Sequence, residues 1–112
     1  MRSVRIAPPN WLLFISDPNG GSVPEITRGR RMWSTSSCVA VGCLAFMDGK
    51  TDVTLGLAHE VDPGERPAFD GMLKTPNKAI MVATVERDKI LHASVSSTNT
   101  RVRIWVNHSM EP

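Results

Sequence analysis

Residues 37–57 read SCVAVGCLAFMDGKTDVTLGL. The first part, 37–47, is apolar at both odd and even positions, as expected of a strand that is covered on both faces. A buried helix is the competing interpretation of this run. The pair Asp48-Gly49 favours the strand, because it suits a type I′ turn and residues 51–57 then alternate in polarity. We therefore predict a β-hairpin with a two-residue turn at Asp48-Gly49.

The same strand pattern recurs on both sides of this hairpin. Further strands are predicted at Trp11–Ser16, Lys78–Val85, Lys89–Val95 and Thr100–Asn107. The last of these alternates cleanly, which predicts a core face made of Val102, Ile104 and Val106. A three-residue link, Glu86-Arg87-Asp88, should join the two strands before it as a hairpin.

The segments between the predicted strands contain turn-forming and charged residues. Residues 17–36 have no sustained period and are expected to form a long surface connection, and His59–Asp70 is expected to be an exposed acidic loop. The predicted fold is a single all-β domain over residues 1–112. Its architecture is expected to be a small antiparallel β-sandwich or a partly open barrel of about six to eight short strands.

The composition limits the environment and the partners. The chain has 112 residues, of which 41% are hydrophobic, enough to build a core without disulfides or a structural metal. The formal charge of +2 is too small to indicate nucleic acid or an anionic membrane as the partner. No run approaches the ~20 apolar residues that cross a bilayer, and no signal peptide is recognisable. Two unpaired thiols, Cys38 and Cys43, fit a reducing compartment, so we expect a soluble, cytoplasmic protein.

The motifs that resemble catalytic or metal sites fail on spacing. Gly49-Lys50-Thr51 lacks the glycine that a phosphate-binding loop requires five residues earlier, since residue 44 is Leu. His59-Glu60 lacks the second histidine of a zinc helix, because residue 63 is Pro. The two cysteines lie in the most apolar run, where a thiol is a core residue more often than a nucleophile. We expect no enzymatic activity, no metal site and no cofactor.

Two basic clusters are the candidate binding residues. The first lies in the segment RGRRMW, residues 28–33, and the second lies on one face of the last predicted strand. Arginine and tryptophan together are typical of protein interfaces, and they also suit a phosphate backbone with stacked bases. The alternative interpretation is a solvated loop and an outward strand face whose arginines shield a sheet edge or pair with the acidic loop. The predicted binding residues are Arg30, Arg31, Trp33, Arg101, Arg103 and Trp105.

The order of features resembles a family of small bacterial β-sandwich proteins, the competence-associated inhibitors of a DNA-entry nuclease. The similarity lies in an apolar strand before an Asp-containing turn, Trp33 before a Gly/Ala-rich strand, and a strand over Thr51–Leu57. It continues with Thr75-Pro76 before the strand Ala79–Val85, and ends with a strand that carries Arg103 and Trp105. The resemblance implies a cytoplasmic β-sandwich that acts by binding a nuclease, and it transfers no catalytic residue.

The sequence therefore predicts a small, non-catalytic protein-binding module, with a nuclease or a similar protein as the partner. Two alternatives are open, namely a structural β-domain that forms a homodimer and a weak nucleic-acid binder that uses its arginines and tryptophans. The acidic stretch 51–75 has five acids against two bases, and its net charge of −3 contrasts with the chain's +2. It could imitate a phosphate backbone and occupy the basic cleft of a nuclease, or it could be a solubilising loop.

Overall fold

The computed structural model describes residues 2–6, 12–18, 22–27, 32–42, 51–84 and 89–105. Within these ranges the chain forms nine strands and a one-turn helix. All of their strand pairings are antiparallel, which confirms the predicted all-β class. In chain order the elements are β1 (Arg2–Ile6), β2 (Leu12–Ser16), β3 (Met32–Ser34), β4 (Cys38–Gly42), β5 (Thr51–Leu55), α1 (Ala58–Val61), β6 (Phe69–Lys74), β7 (Ala79–Thr84), β8 (Lys89–Ser94) and β9 (Asn99–Ile104).

The strands form one large sheet and two ribbons. The large sheet has five strands in the order β3-β4-β2-β7-β8. The remaining strands pair as β1–β5 and β6–β9, each a two-stranded ribbon. Because β2, β4 and β7 carry apolar residues on both faces, they can occupy the middle of the large sheet.

One face of the large sheet supplies most of the core. Both ribbons pack their apolar side chains against this face, and in the described residues the sheets do not close into a barrel. The arrangement is a two-layer sandwich, which is one of the two predicted architectures. The core residues of the large sheet are Leu13, Ile15, Val39, Val41, Ile80, Val82 and Leu91, and the ribbons add Val4, Val53, Leu55, Phe69, Leu73, Val102 and Ile104.

The six predicted strands correspond to β2, β4, β5, β7, β8 and β9, with ends that differ by a few residues. Cys38–Gly42 is a strand, so the buried-helix interpretation is wrong for these residues. The turn at Asp48-Gly49 lies outside the described residues. The described part of β5 pairs with β1, a strand that the sequence analysis did not identify.

The strands β7, β8 and β9 agree with the sequence-based predictions where the structure describes them. β7 and β8 pair as antiparallel neighbours, as predicted, while their link at residues 86–88 lies outside the described residues. Val102 and Ile104 pack against the core, which confirms the predicted register of β9. Val106 lies outside the described residues.

The prediction of an exposed loop over His59–Asp70 is wrong at both ends of that segment. The first residues form α1, where a Glu60 carboxylate oxygen accepts a hydrogen bond from the Leu57 main-chain N–H (2.9 Å). The last residues begin β6, which pairs along its whole length with β9. Asp, Gly and Lys are poor strand formers, so the local sequence hid a strand that the long-range pairing with β9 stabilises.

The ribbon β6–β9 is joined to the large sheet by a buried polar cluster at Asp17. The Asp17 carboxylate is fully buried and accepts hydrogen bonds from the main-chain N–H (2.8 Å) and the side-chain amide (2.6 Å) of Asn77. Thr75, also fully buried, donates its hydroxyl to the Ser97 carbonyl (2.7 Å). The Asn77 bonds hold the turn between β6 and β7 against the end of β2, and the Thr75 bond joins this turn to the turn between β8 and β9.

Neighbouring residues of β6 test the register of the ribbon. Leu73 is 1% exposed and points into the core, whereas Met72 is 58% exposed and points outward. Leu73→Ala should lower the free energy of unfolding by about 2–5 kcal/mol, because it leaves a cavity. Met72→Ala should change it by about 0.5 kcal/mol or less. Urea unfolding followed by tryptophan fluorescence measures both, and equal losses would contradict the register.

Candidate functional site

The predicted binding residues fall into three groups in the structure. Arg30 and Arg31 lie outside the described residues. Trp33 lies in β3, at one edge of the large sheet. Arg101 and Arg103 lie on β9 and Trp105 follows it directly, so the structure brings this second cluster together on the ribbon β6–β9.

Trp33 was expected in the surface connection of residues 17–36 as a binding residue, and the structure corrects this placement because Trp33 lies in the strand β3. Its side chain is 8% exposed, and its indole N–H donates a hydrogen bond to the Thr27 hydroxyl (3.1 Å). In the pairing of β3 with β4 its partner is Ala40, a small and fully buried residue. The physical reason is that a large aromatic ring gains more from burial in the sheet than from exposure.

The arginines of β9 belong to a charged face of the ribbon. Residues directly opposite each other in an antiparallel pair share one face, and the register pairs Asp70 with Arg103 and Met72 with Arg101. The opposite face holds the core residues Leu73 and Val102. We call the outward surface the arginine face; it consists of Asp70, Met72, Lys74, Asn99, Arg101 and Arg103.

Asp70 lies between the two guanidinium groups. Arg101 donates two hydrogen bonds to it, from Nε to Oδ1 (2.8 Å) and from Nη2 to Oδ2 (2.7 Å). The Nε atom of Arg103 is 3.8 Å from Oδ2, close enough for an ion pair but too far for a hydrogen bond. The hydrogen bonds from Arg101 and the positive charge of both arginines lower the pKa of Asp70 below its ordinary value. The alternative interpretation included a pairing of these arginines with the acidic loop; the structure shows the ion pairs, with Asp70 in β6 instead of in a loop.

The arginine face keeps a positive charge and an exposed apolar side chain. It has three cationic side chains, Lys74, Arg101 and Arg103, against the single carboxylate of Asp70. Arg101 is 58% exposed, so one ion pair does not remove it from solvent. Met72, directly opposite Arg101, is equally exposed. Asp70, Met72 and Lys74 were not predicted as neighbours of the arginines, because the strand β6 that carries them has no clear strand pattern in the sequence.

Trp105 closes one end of this surface. Its indole N–H donates a hydrogen bond to the Glu65 carbonyl (2.9 Å), and the residue is half-buried. The bond fixes the loop between α1 and β6 beside the end of β9. The exposed part of the indole ring is therefore held in a defined position.

The acidic segment contributes local structure as well as charge. Glu60 and Asp62 are exposed, and Asp62 accepts a hydrogen bond from the Gly64 main-chain N–H (2.7 Å). Gly64 adopts a φ of 84°, which an L-residue with a side chain rarely takes. Since Glu60 holds the start of α1, at least two of these acids stabilise the chain that carries them.

Cys38 is the cysteine candidate that the structure describes, and it is buried. Burial raises the pKa of the Cys38 thiol to about 11, so this thiol is not ionised at neutral pH. Cys43 lies outside the described residues. Among the residues that the structure describes, no group of three His, Cys, Asp or Glu side chains could hold a metal ion.

Comparison of the chain with family models, with curated proteins and with solved structures finds no match. No helix in the described ranges is long and apolar enough to cross a membrane.

The lowered pKa of Asp70 has a direct test. Arg101→Ala should raise this pKa towards its ordinary value, because it removes both hydrogen bonds, whereas Arg103→Ala should raise it less. Carboxyl NMR titrations of the wild type and the two variants measure the shift. Because folding lowers the pKa, the ion pair stabilises the fold above the ordinary carboxyl pKa. This contribution is lost as the pH falls through the lowered value. An unchanged Asp70 pKa in Arg101→Ala would contradict the geometry.

Proposed function

We propose that the protein is a small, non-catalytic protein-binding module and that the arginine face, with Trp105 at its end, is the binding surface. The observation that carries this proposal is the exposure of Met72 directly opposite Arg101. Methionine, arginine and aromatic residues are the types enriched in the centres of protein interfaces. A partner that covers Met72 would remove its apolar side chain from water, which favours binding.

The ion pair with Asp70 prepares this surface for binding. Arg101 uses two of its five N–H groups in the bonds to Asp70, which leaves three donors for a partner. A side chain that is already ordered loses less conformational entropy when the complex forms. Arg103 forms only the long ion pair to Asp70 among the described residues, so its donors are also available.

A protein partner suits this face better than nucleic acid does. A phosphate backbone that follows the two arginines would also meet the Asp70 carboxylate between them, which repels it. The Trp105 indole N–H is already engaged with Glu65, and the residue is half-buried, which limits the surface available for base stacking. The exposed thioether of Met72 favours an apolar contact, which a protein surface supplies.

The resemblance to competence-associated nuclease inhibitors makes a nuclease the first partner to test. Two turns contribute to this resemblance, the one that contains Asp17 and the one that begins with Thr75-Pro76. They lie against each other, because Asn77 donates two hydrogen bonds to the Asp17 carboxylate. Asp17 and Thr75 are fully buried and anchor these turns in the fold. A cytoplasmic location fits the buried, unpaired thiol of Cys38.

Affinity capture from the source cells tests the proposal with matched charge reversals. The baits are the wild type, Arg103→Glu on the arginine face and Lys89→Glu on the exposed surface of β8. A protein captured by the wild type is purified, and its affinity for all three baits is measured by calorimetry. We expect Arg103→Glu to weaken binding by about tenfold or more and Lys89→Glu to leave it unchanged.

Three outcomes of this experiment would contradict the proposal. Equal binding by Arg103→Glu and the wild type would exclude the arginine face. Recovery of the bait alone would favour a homodimeric structural domain. Capture of nucleic acid, with log Kd rising linearly with log salt concentration, would favour the nucleic-acid alternative.

A further inference from the structure

Within the described ranges, no strand pairs with the outer edge of β9, which lies beside its two arginines. The Thr75 main-chain N–H donates to the Thr98 carbonyl (2.8 Å), so these two residues form a hydrogen-bonded pair of the β6–β9 ladder. In an antiparallel ladder every second pair is hydrogen-bonded. With the constant register, the next hydrogen-bonded pairs are those of Thr100, Val102 and Ile104. The N–H and carbonyl groups of Arg101 and Arg103 therefore point away from β6. Among the described residues, β9 has β6 as its one neighbouring strand.

From this edge and its side chains we infer that the partner of the proposed function binds as an added β-strand along β9, and that this strand alternates acidic and apolar residues. The inference rests on the proposed function and names how the partner is recognised. Strand addition to an open edge gives affinity through main-chain hydrogen bonds and specificity through alternate side chains.

The two faces of β9 define what the added strand must carry. On the arginine face, Arg101 and Arg103 would lie beside every second residue of the added strand, where a carboxylate forms charge-assisted hydrogen bonds. On the core face, Val102 and Ile104 are only half-buried although they point inward. Apolar side chains at the intervening positions would complete their burial. An acidic and apolar alternation satisfies both faces at once.

Three other strand edges described in the structure, those of β8, β6 and β3, are less suited to this role. At the edge of β8, the His92 carbonyl already lies near a guanidinium nitrogen of Arg2 (3.4 Å). At the outer edge of β6, the Lys74 main-chain N–H donates to the Ser36 carbonyl (2.9 Å). The strand β3 has only three residues. None of these edges combines a long open ladder with two neighbouring arginines.

The charge on β9 also acts against pairing with a second copy. Two β9 strands edge to edge would bring arginine side chains close to one another, and like charges opposite each other destabilise a ladder. The chain's own Glu60-Val61-Asp62 has the right alternation, but Glu60 and Val61 lie in α1 and both acids hold local main-chain groups. The occupant we propose is therefore an extended acidic segment of a different protein.

Synthetic ten-residue peptides provide the probe. The test peptide alternates Glu and Val, one control has the same residues in two blocks, and a second control alternates Lys and Val. Binding is followed by ¹⁵N–¹H NMR titration of the whole chain up to millimolar peptide, which detects weak complexes. We expect shifts along β9 with the alternating acidic peptide, and binding at least about tenfold weaker for both controls.

N-methylated peptides test the ladder itself. One peptide is methylated at all Glu amides and the other at all Val amides. In an added strand the N–H groups of every second residue face β9, so only one of these two peptides loses its hydrogen bonds to β9. We expect one methylated peptide to lose binding and the other to keep it. Loss in both, or retention in both, would overturn strand addition.

A charge reversal tests the recognition of carboxylates. Arg103→Glu should lower the affinity for the acidic peptide and raise the affinity for the Lys–Val peptide. Unchanged NMR signals of the core residues show that the variant is folded. No binding of the acidic peptide to the wild type would overturn the inference. In that case the proposed function would still stand if the captured partner binds in an Arg103-dependent manner, since a folded surface can use the same arginines.

Discussion

The buried carboxylate of Asp17 connects the two layers of the molecule. Asp17 directly follows the central strand β2, and its carboxylate accepts two hydrogen bonds from Asn77, in the turn between β6 and β7. A buried carboxylate is costly without such partners, so its bonds specify one position for that turn. Thr75, in the turn between β6 and β7, donates its hydroxyl to the Ser97 carbonyl between β8 and β9. The ribbon then presents one face to the core and the arginine face to solvent.

The orientation of the ribbon explains how one strand contributes to both stability and recognition. On one side of β6, Leu73 fills the core, and the Phe69 ring lies within 3.0 Å of where a side chain on Gly71 would begin. On the other side, Asp70 holds Arg101 in a forked ion pair that is mostly exposed. Such a pair adds little to stability. Its main effect is to order the guanidinium group at a surface where a partner can use it.

The strands could be predicted from the sequence where a local period or a turn residue determines the structure. Alternation identified β9 and the inward direction of Val102 and Ile104, and the doubly apolar run identified β4. Prediction failed where pairing between distant segments decides the outcome. Asp70 lies in a segment with weak strand formers that pairs with β9 some thirty residues later. The burial of Trp33 depends on Ala40 and Thr27, neighbours that composition alone does not reveal.

The central claim is that the outer edge of β9, which none of the described strands covers, can form hydrogen bonds beside its two arginines. Amide hydrogen exchange along β9, measured residue by residue by NMR in the free protein, tests this claim most directly. The account predicts slow exchange at Thr100, Val102 and Ile104, whose N–H groups point to β6, and fast exchange at Arg101 and Arg103 between them. Uniform protection along the strand would show that its outer edge is covered, and would contradict the account.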